Sequence, residues 1–374
     1  MNERNISFTA LSHQWNDERE ELLPILEKVF ASGKFVGGEY INVLEKKLAD
    51  LCGTKFCLLL NSGTDALVCS LIGAGVKAGD EVITPPNSFI ASTAAIAHIG
   101  ATPKFIDVLP DQNMDPAKLK SAITDKTSAI MPVHLTGRVC RMDEILKISV
   151  DYSIPIVEDA AQAIGSKYQG KCAGAWGLIA AFSTHPLKNF NACGDGGFVT
   201  TNNEGIYKKI KSMRNHGMEN RNLVKSFGYV SRMDNLQAAI LDFRLDKLSW
   251  IIKKRRENVQ LYHSLLKSEF VRLETEKDYE YNTYHTFVVH CERRDELQKY
   301  LEKKGINTAI HYPIPIHKQL AYTEKFGPSR EKYENCERQS EKILSLPIHQ
   351  YLTENDIKFI CNEVLLFYHG KKST

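Results

Sequence analysis

The sequence predicts an α/β protein, with a mainly parallel central sheet covered by helices on both faces and a smaller α+β unit after it. Three observations carry this expectation. From about residue 55 to 200, short apolar runs alternate with helical patterns, the signature of strands joined by crossover helices. A long helical stretch from Asp234 to Leu266 follows. Beyond it the pattern becomes a mixture of strands and helices without that regular alternation.

In the first part, Phe56–Leu60, Glu81–Thr84, Pro103–Asp107, Ala129–Val133, Pro155–Glu158, Ile179–Ser183 and Gly197–Thr200 read as strands. They are apolar along their length, as strands buried on both faces are. Thr64–Gly73, Ala91–Ile99, Arg141–Val150 and Glu204–Asn215 read as intervening helices. In the second part the expected order is a strand (Thr286–His290), a helix (Arg294–Lys304), a strand (Asn307–Tyr312) and two more helices. The boundary is placed at residue 250, giving a large unit 1–250 and a small unit 251–374. The first fifty residues are polar and hard to place, and residues 1–25 are expected to pack with the small unit or a partner subunit.

Composition narrows the function. The chain has 374 residues, 43% hydrophobic and 25% charged, with a net charge of +3. That is an ordinary globular balance, too weakly basic to argue for nucleic acid or an anionic membrane. The basic runs Lys253–Arg256 and Lys303–Lys304 fall in helical patterns beside Glu residues, and read as solvated helix faces. The start of the chain, Met1–Asn5, is polar and lacks a signal core, and no apolar run is long enough to span a bilayer. Nine scattered cysteines form no C-x-x-C pair, so neither a disulfide framework nor a zinc site is indicated. Reduced thiols in a cytoplasmic protein are the plain reading. His311 and His317 are six apart across prolines, which suggests no metal geometry.

Three strand ends carry chemistry, since ligands of open α/β sheets gather at the carboxyl ends of strands. Asn61–Leu67 follows an apolar run with a Gly turn and a Ser/Thr helix start. Such a start is either an anion site or a plain helix cap. It lacks the Gly-Lys-Ser/Thr ending of a Walker loop. Ile156–Gln162 ends a strand in Glu158 and Asp159, so a buried carboxylate there needs a cation or a cap as partner. Phe182–Asn189 holds one lysine, Lys188, in an uncharged stretch before the turn Cys193–Gly197. A desolvated lysine loses basicity and can form an imine, although a lone lysine is ordinarily a surface residue. Together, in this order, the three are the parts a protein supplies to pyridoxal phosphate.

With these residues in place, the chain resembles the DegT/DnrJ/EryC1/StrS family of sugar aminotransferases, which share the fold-type-I architecture. The resembling motifs are collinear from Asn61 to Pro347: Asn61–Leu67, Gly79–Pro85, Pro132–Gly137, Glu158–Gln162, Phe182–Lys188, Gly194–Gly197, Asn215–Gly217 and His311–His317. The resemblance implies that Lys188 holds pyridoxal 5'-phosphate as an imine and moves the proton between cofactor and substrate carbons. Asp159 is implied as the partner of the pyridine nitrogen, and Gln162 as a contact of the ring hydroxyl. Gly63, Thr64 and Ser183 are implied at the phosphate, with Phe89 stacked on the ring. Arg232 is implied to reach the phosphate of a second subunit, in a homodimer with shared active sites. His185 and His317 are implied on the substrate side, and no metal is implied.

The implied reaction runs through pyridoxamine phosphate. It takes the amino group of an amino acid, by family habit glutamate, to a keto sugar. The Gly-Asp-Gly-Gly turn and the Tyr312–His317 segment look more like relatives acting on nucleotide-linked 3-keto-6-deoxyhexoses than on 4-keto sugars. The implied setting is surface polysaccharide or glycan precursor synthesis. Two departures from the family pattern stand out: Val230 where Asn is frequent, and Thr184 where an aromatic residue is frequent. Two rivals are weighed. A dehydratase of the same family carries His where Lys188 stands, so the lysine argues against it. A cofactor-binding regulator without turnover would not need lysine, acid and phosphate cap together.

Overall fold

The computed structural model describes residues 5–370. Seven strands form the central layer: β1 (Phe56–Leu60), β2 (Glu81–Thr84), β3 (Thr102–Phe105), β4 (Thr127–Ile130), β5 (Val157–Asp159), β6 (Ile179–Ser183) and β7 (Gly197–Thr201). Their spatial order is β3-β2-β4-β5-β6-β7-β1, with β4 and β5 joined by parallel bridges at Ile130–Ile156 and Val133–Asp159. Every neighbouring pair is parallel except those made by β7, which runs against both β6 and β1. The sheet is therefore mainly parallel, as the alternating pattern requires.

The apolar runs face both ways because successive side chains of a strand point to opposite faces. Cys57, Leu59, Ile83, Ala180, Phe182 and Phe198 enter one core with the helices Glu39–Cys52, Met142–Tyr152 and the first half of Asn235–Leu265. Leu58, Leu60, Val82, Val157, Ile179, Ala181 and Val199 enter another, with the helices Gly63–Gly73, Ile90–His98 and Glu204–Met213. Helices thus cover both faces. Phe182 and Phe198 are cross-strand partners whose rings stack at 4.4 Å, a contact worth about 1 kcal/mol beyond its area.

A separate core fills the C-terminal part, around a three-stranded antiparallel sheet of β8 (Val271–Leu273), β9 (Phe287–Cys291) and β10 (Ile343–Leu346). The long helix Asn235–Leu265 serves both cores, contributing Ala238 to Ile252 to the first and Val259 to Leu266 to the second. Ile6 joins the second core and pairs in parallel with Ile306.

One element differs from the expectation. Asn307–Tyr312 is not a strand: it makes a single bridge, Ala309 with Ser345, and then leaves the sheet. Pro313 and Pro315 have no N–H to extend a ladder. The third strand of that sheet is instead Ile343–Leu346, which follows the helix Glu334–Lys342 with no turn residue to mark the change.

Candidate active site

At the carboxyl edge of the large sheet lies a cavity of ≈ 400 Å³. Its floor is built from strand ends. After β1 the chain turns into the helix Gly63–Gly73, and Ser62 caps it by accepting a hydrogen bond from the Asp65 N–H at 3.0 Å. Gly63 and Thr64 line the cavity at that start, where a helix leaves its first N–H groups without intrahelical partners. Two glycines make the approach possible. A Cβ on Gly63 would lie 2.6 Å from the Cβ of Ser183, at the end of β6. A Cβ on Gly197 would run into the Ser62 carbonyl, so β7 can begin only as glycine beside the helix start.

The two carboxylates that end β5 have different partners. Glu158 is fully buried and accepts from the backbone N–H groups of Gly174, Trp176 and Gly177 at 2.7–2.8 Å, and it pairs with His134 at 2.9 Å. That set is closed, and Glu158 belongs to the framework. Asp159 accepts from the Ser92 hydroxyl at 2.6 Å and the Ala161 N–H at 3.2 Å, and it lines the cavity. No helix starts after it, so it is not a helix cap. Burial raises its carboxyl above the usual range, against the opposing pull of Ser92, Ala161 and the Lys188 cation.

Lys188 stands on the irregular loop between β6 and β7. Its N–H donates to the His185 carbonyl at 2.8 Å, and its side chain enters the cavity. Desolvation brings its ammonium down to about 8, with Asp159 pulling the other way. Each of the two groups thus lies within the other's field. Gln162 accepts from the Thr136 N–H at 2.7 Å, and its amide N–H₂ faces the Tyr312 hydroxyl at 3.5 Å. The Phe89 ring is 55% exposed at the cavity wall and tilts towards Tyr312 at 5.7 Å. Ser183 and His185 complete this side, the Ser183 hydroxyl accepting from the His185 N–H at 3.3 Å.

Eight of the expected site residues therefore share one cavity: Gly63, Thr64, Phe89, Asp159, Gln162, Ser183, His185 and Lys188. Two do not. Arg232 lies in a different depression with Lys211 and Arg214. Its guanidinium donates to Asn215 at 2.8 Å, and its buried Nε has no partner among the described residues. His317 is buried between Phe105, at the end of β3, and Tyr333, and pairs with Glu337 at 3.2 Å, so its ring packs between the large sheet and the C-terminal part and does not line the cavity. Of the two departures, Thr184 is buried under the Gly196 turn, and Val230 is exposed and bridged to Asn215.

The opposite wall holds residues that sequence reasoning missed. Phe8, His285, Thr286, His311, Tyr312 and His349 line it. Burial and the Lys188 cation hold His311 down at about 4, and His285 is pushed below the usual histidine range by burial first and Lys188 next. His311 and Tyr312 lie inside a motif already singled out, and the prolines around them were the signal that this run serves something other than a strand. Ser92 lies beside Thr93 in an otherwise apolar run before His98, and nothing local sets it apart from that neighbour. Nothing local marks Phe8 or His285. Among the described residues no group of His, Cys, Asp and Glu could hold a metal ion.

The residue pattern of the DegT/DnrJ/EryC1/StrS aminotransferase family matches residues 16–365. The chain belongs to this family. Among its relatives, the dTDP-3-amino-3,6-dideoxy-alpha-D-galactopyranose transaminase of Aneurinibacillus thermoaerophilus is 38% identical, covering 92% of this chain and 95% of that protein. A protein of Geobacillus stearothermophilus called a pleiotropic regulatory protein is 36% identical, covering 97% and 99%. Among solved structures, S. venezuelae DesV in complex with a ketimine intermediate superposes with a TM-score of 0.94 at 33% identity, over 98% and 99% of the two chains. NtdA of Bacillus subtilis with bound cofactor PMP gives 0.90 at 32% identity, over 96% and 85%. The fold is that of the family's fold-type-I aminotransferases. No described helix is long and apolar enough to cross a membrane.

Proposed function

We propose that this protein is a pyridoxal-phosphate aminotransferase that moves an amino group, from glutamate, to the ketone of a nucleotide-linked sugar. One observation carries the reading: a desolvated lysine and a buried, capless aspartate face one cavity beside a glycine-walled helix start. The residues present fit the cofactor. The helix start at Gly63 and Thr64, with the Ser183 hydroxyl, suits its phosphate, because free N–H groups and the helix dipole both favour a dianion. The Asp159 carboxylate, whose burial is only partly offset by Ser92 and Ala161, suits a protonated ring nitrogen. Phe89 offers the ring a face, and Gln162 offers its hydroxyl an amide.

When bound, pyridoxal phosphate supplies a carbonyl for amine exchange and a ring that accepts electrons. Asp159 would hold the ring nitrogen in its protonated form, which would keep the bound ring electron-poor. Lys188 takes and returns the proton that moves during transfer. An amine near 8 is close enough to neutral pH to accept a proton and to release it.

The acceptor is a 3-keto (or 4-keto) 6-deoxyhexose carried on a nucleotide, in the synthesis of surface polysaccharide or glycan precursors. The relative named as a 3-amino-3,6-dideoxyhexose transaminase supports the first choice. The cytoplasm is the place such a reaction is expected. The working unit is a homodimer with shared sites, supported by Arg232, which sits outside its own chain's cavity with an unpartnered Nε. Phe227, Tyr229 and Val230 beside it are exposed. The division into units 1–250 and 251–374 is supported by the long helix, which changes cores between Ile252 and Val259.

A relative called a regulatory protein raises the alternative of cofactor binding without turnover. Incubating the purified protein with glutamate and a panel of nucleotide-linked keto sugars decides it. The expected outcome is 2-oxoglutarate release in step with amino-sugar formation. Cofactor binding without either product would favour the regulator. For the shared site, mixing inactive Lys188→Ala and Arg232→Ala chains under conditions of subunit exchange is expected to recover part of the activity. No recovery in verified heterodimers would place the whole site within one chain.

A further inference from the structure

The loop that carries Lys188 has no regular secondary structure, so its backbone must be fixed from outside. Its own bonds are few: Lys188 N–H to the His185 carbonyl at 2.8 Å and Ala192 N–H to the Thr184 carbonyl at 2.7 Å. From outside, Asn189 donates to the Thr283 carbonyl at 2.9 Å and Gln237 pairs with the Cys193 backbone, and the stretch between Pro186 and Asn191 is held by a closed polar circuit. Asn191 donates to the Pro186 carbonyl at 3.0 Å, two residues before Lys188. Its amide is paired reciprocally with that of Gln14, at 2.9 Å one way and 3.1 Å the other. Gln14 also donates to Glu18 at 3.0 Å, one turn along the helix Leu11–Ser32. Glu18 pairs with Arg244 of the long helix at 2.8 Å, and Arg244 donates back to the Asn191 carbonyl at 2.7 Å.

All four residues are at most 5% exposed, and Gln14 and Asn191 also line the cavity. Apolar residues would fill this space at lower desolvation cost. What a satisfied polar circuit adds is direction: each bond fixes an angle as well as a distance. We propose that Gln14 and Asn191 are positioning residues for Lys188. Through the Pro186 carbonyl they hold the lysine loop in the register that aims its amine at the reacting carbon. The N-terminal helix is thereby part of the catalytic apparatus without touching substrate chemistry itself. This rests on the assignment of Lys188 made above.

The test uses the holoenzyme and four proteins: parent, Gln14→Ala, Asn191→Ala and the swap Gln14→Asn/Asn191→Gln, which retains one long and one short amide. Three readouts are compared: kcat against KM, the pH midpoint of the absorption of the lysine-bound cofactor, and thermal unfolding. Each single variant is expected to lose about tenfold or more in kcat, with donor KM little changed, as a misaimed reacting group does. The absorption midpoint is expected to move by about half a pH unit, because the amine's surroundings change. The swap is expected to regain most of both. Single variants that keep kcat and midpoint and lose only thermal stability would overturn the proposal, and so would a swap that restores neither. A parent protein without any lysine-bound absorption would overturn the Lys188 assignment as well.

Discussion

The cavity has a floor and a roof made in different ways. The floor is the carboxyl edge of the large sheet, where Asp159 and Ser183 end strands that have a neighbour on each side and Gly63 opens the helix after β1. The roof consists of Phe8, His285, His311 and His349, on connecting segments outside the regular strands and helices. Ile6 bridges Ile306, His349 bonds the Ser7 carbonyl at 3.2 Å, Phe8 stacks on His311 at 5.8 Å, and His311 bonds the Ser345 hydroxyl at 2.8 Å. A ladder holds a residue by its neighbours along the strand, whereas connecting segments tolerate change more readily. The difference teaches where each task belongs. Under the proposed function, reaction chemistry belongs to the floor and discrimination among acceptors to the roof.

The sharpest way to break this division is Asp159→Asn. A neutral amide can keep its oxygen on the Ala161 N–H and turn its N–H₂ to the Ser92 hydroxyl, which then accepts, but it removes the charge. Cofactor content is expected to stay near parental, while the rate of amine transfer falls by about 10²–10³, the usual scale for a lost electrostatic partner in a dry site. Rapid-mixing measurement of the first half-reaction with glutamate checks it. A parental rate would return Asp159 to a framework role.

Roof substitutions should act differently. Phe8→Ala and His311→Gln are expected to raise KM for the keto sugar about tenfold with kcat within a factor of about three, the pattern of lost uniform binding. Steady-state kinetics with both substrates varied give the answer. A fall in kcat equal to that of Asp159→Asn would erase the distinction between floor and roof.

The smallest effect concerns stability. The folded-state pKa of Lys188 is lowered from 10.5 to about 8, so its charged form is destabilising in the folded protein. Below about pH 8 the lysine is charged in both states and the penalty is complete; between about 8 and 10.5 the unfolded chain binds more protons, and the penalty fades as pH rises. Prepared without cofactor, Lys188→Met is therefore expected to be more stable than the parent at pH 7, with the gap closing towards pH 10.5. Unfolding in urea across this range measures it. A gap that widens with pH would mean that Lys188 is not desolvated.

Most of the floor was legible in the sequence because its signals are local. The apolar runs of β1, β5 and β6 are continuous, and the residues that follow them, Ser62–Thr64, Asp159 and Ser183–Lys188, come directly at the strand ends. The roof was not legible, because Phe8 and His285 reach the cavity only through long-range contacts between residues far apart in the chain. Asn307–Tyr312 shows the reason most clearly. Its composition suits a strand, yet after one bridge the chain leaves the sheet, and His311 and Tyr312 go to the cavity instead of continuing the ladder. His317 misled in the opposite sense: the motif pointed to it, while its ring is buried against Phe105 and Tyr333. Pairing of Gln14 with Asn191, 177 residues apart, has no signature in either segment.

The central claim is that Lys188 carries the cofactor. Reducing the holoenzyme with borohydride fixes any lysine-bound cofactor covalently, and peptide mass spectrometry then locates it. The expected result is one modified site, Lys188, within the Thr184–Cys193 loop, absent when the protein is first converted with glutamate. A cofactor mass on another lysine, or none at all in a protein that binds pyridoxal phosphate, would contradict it.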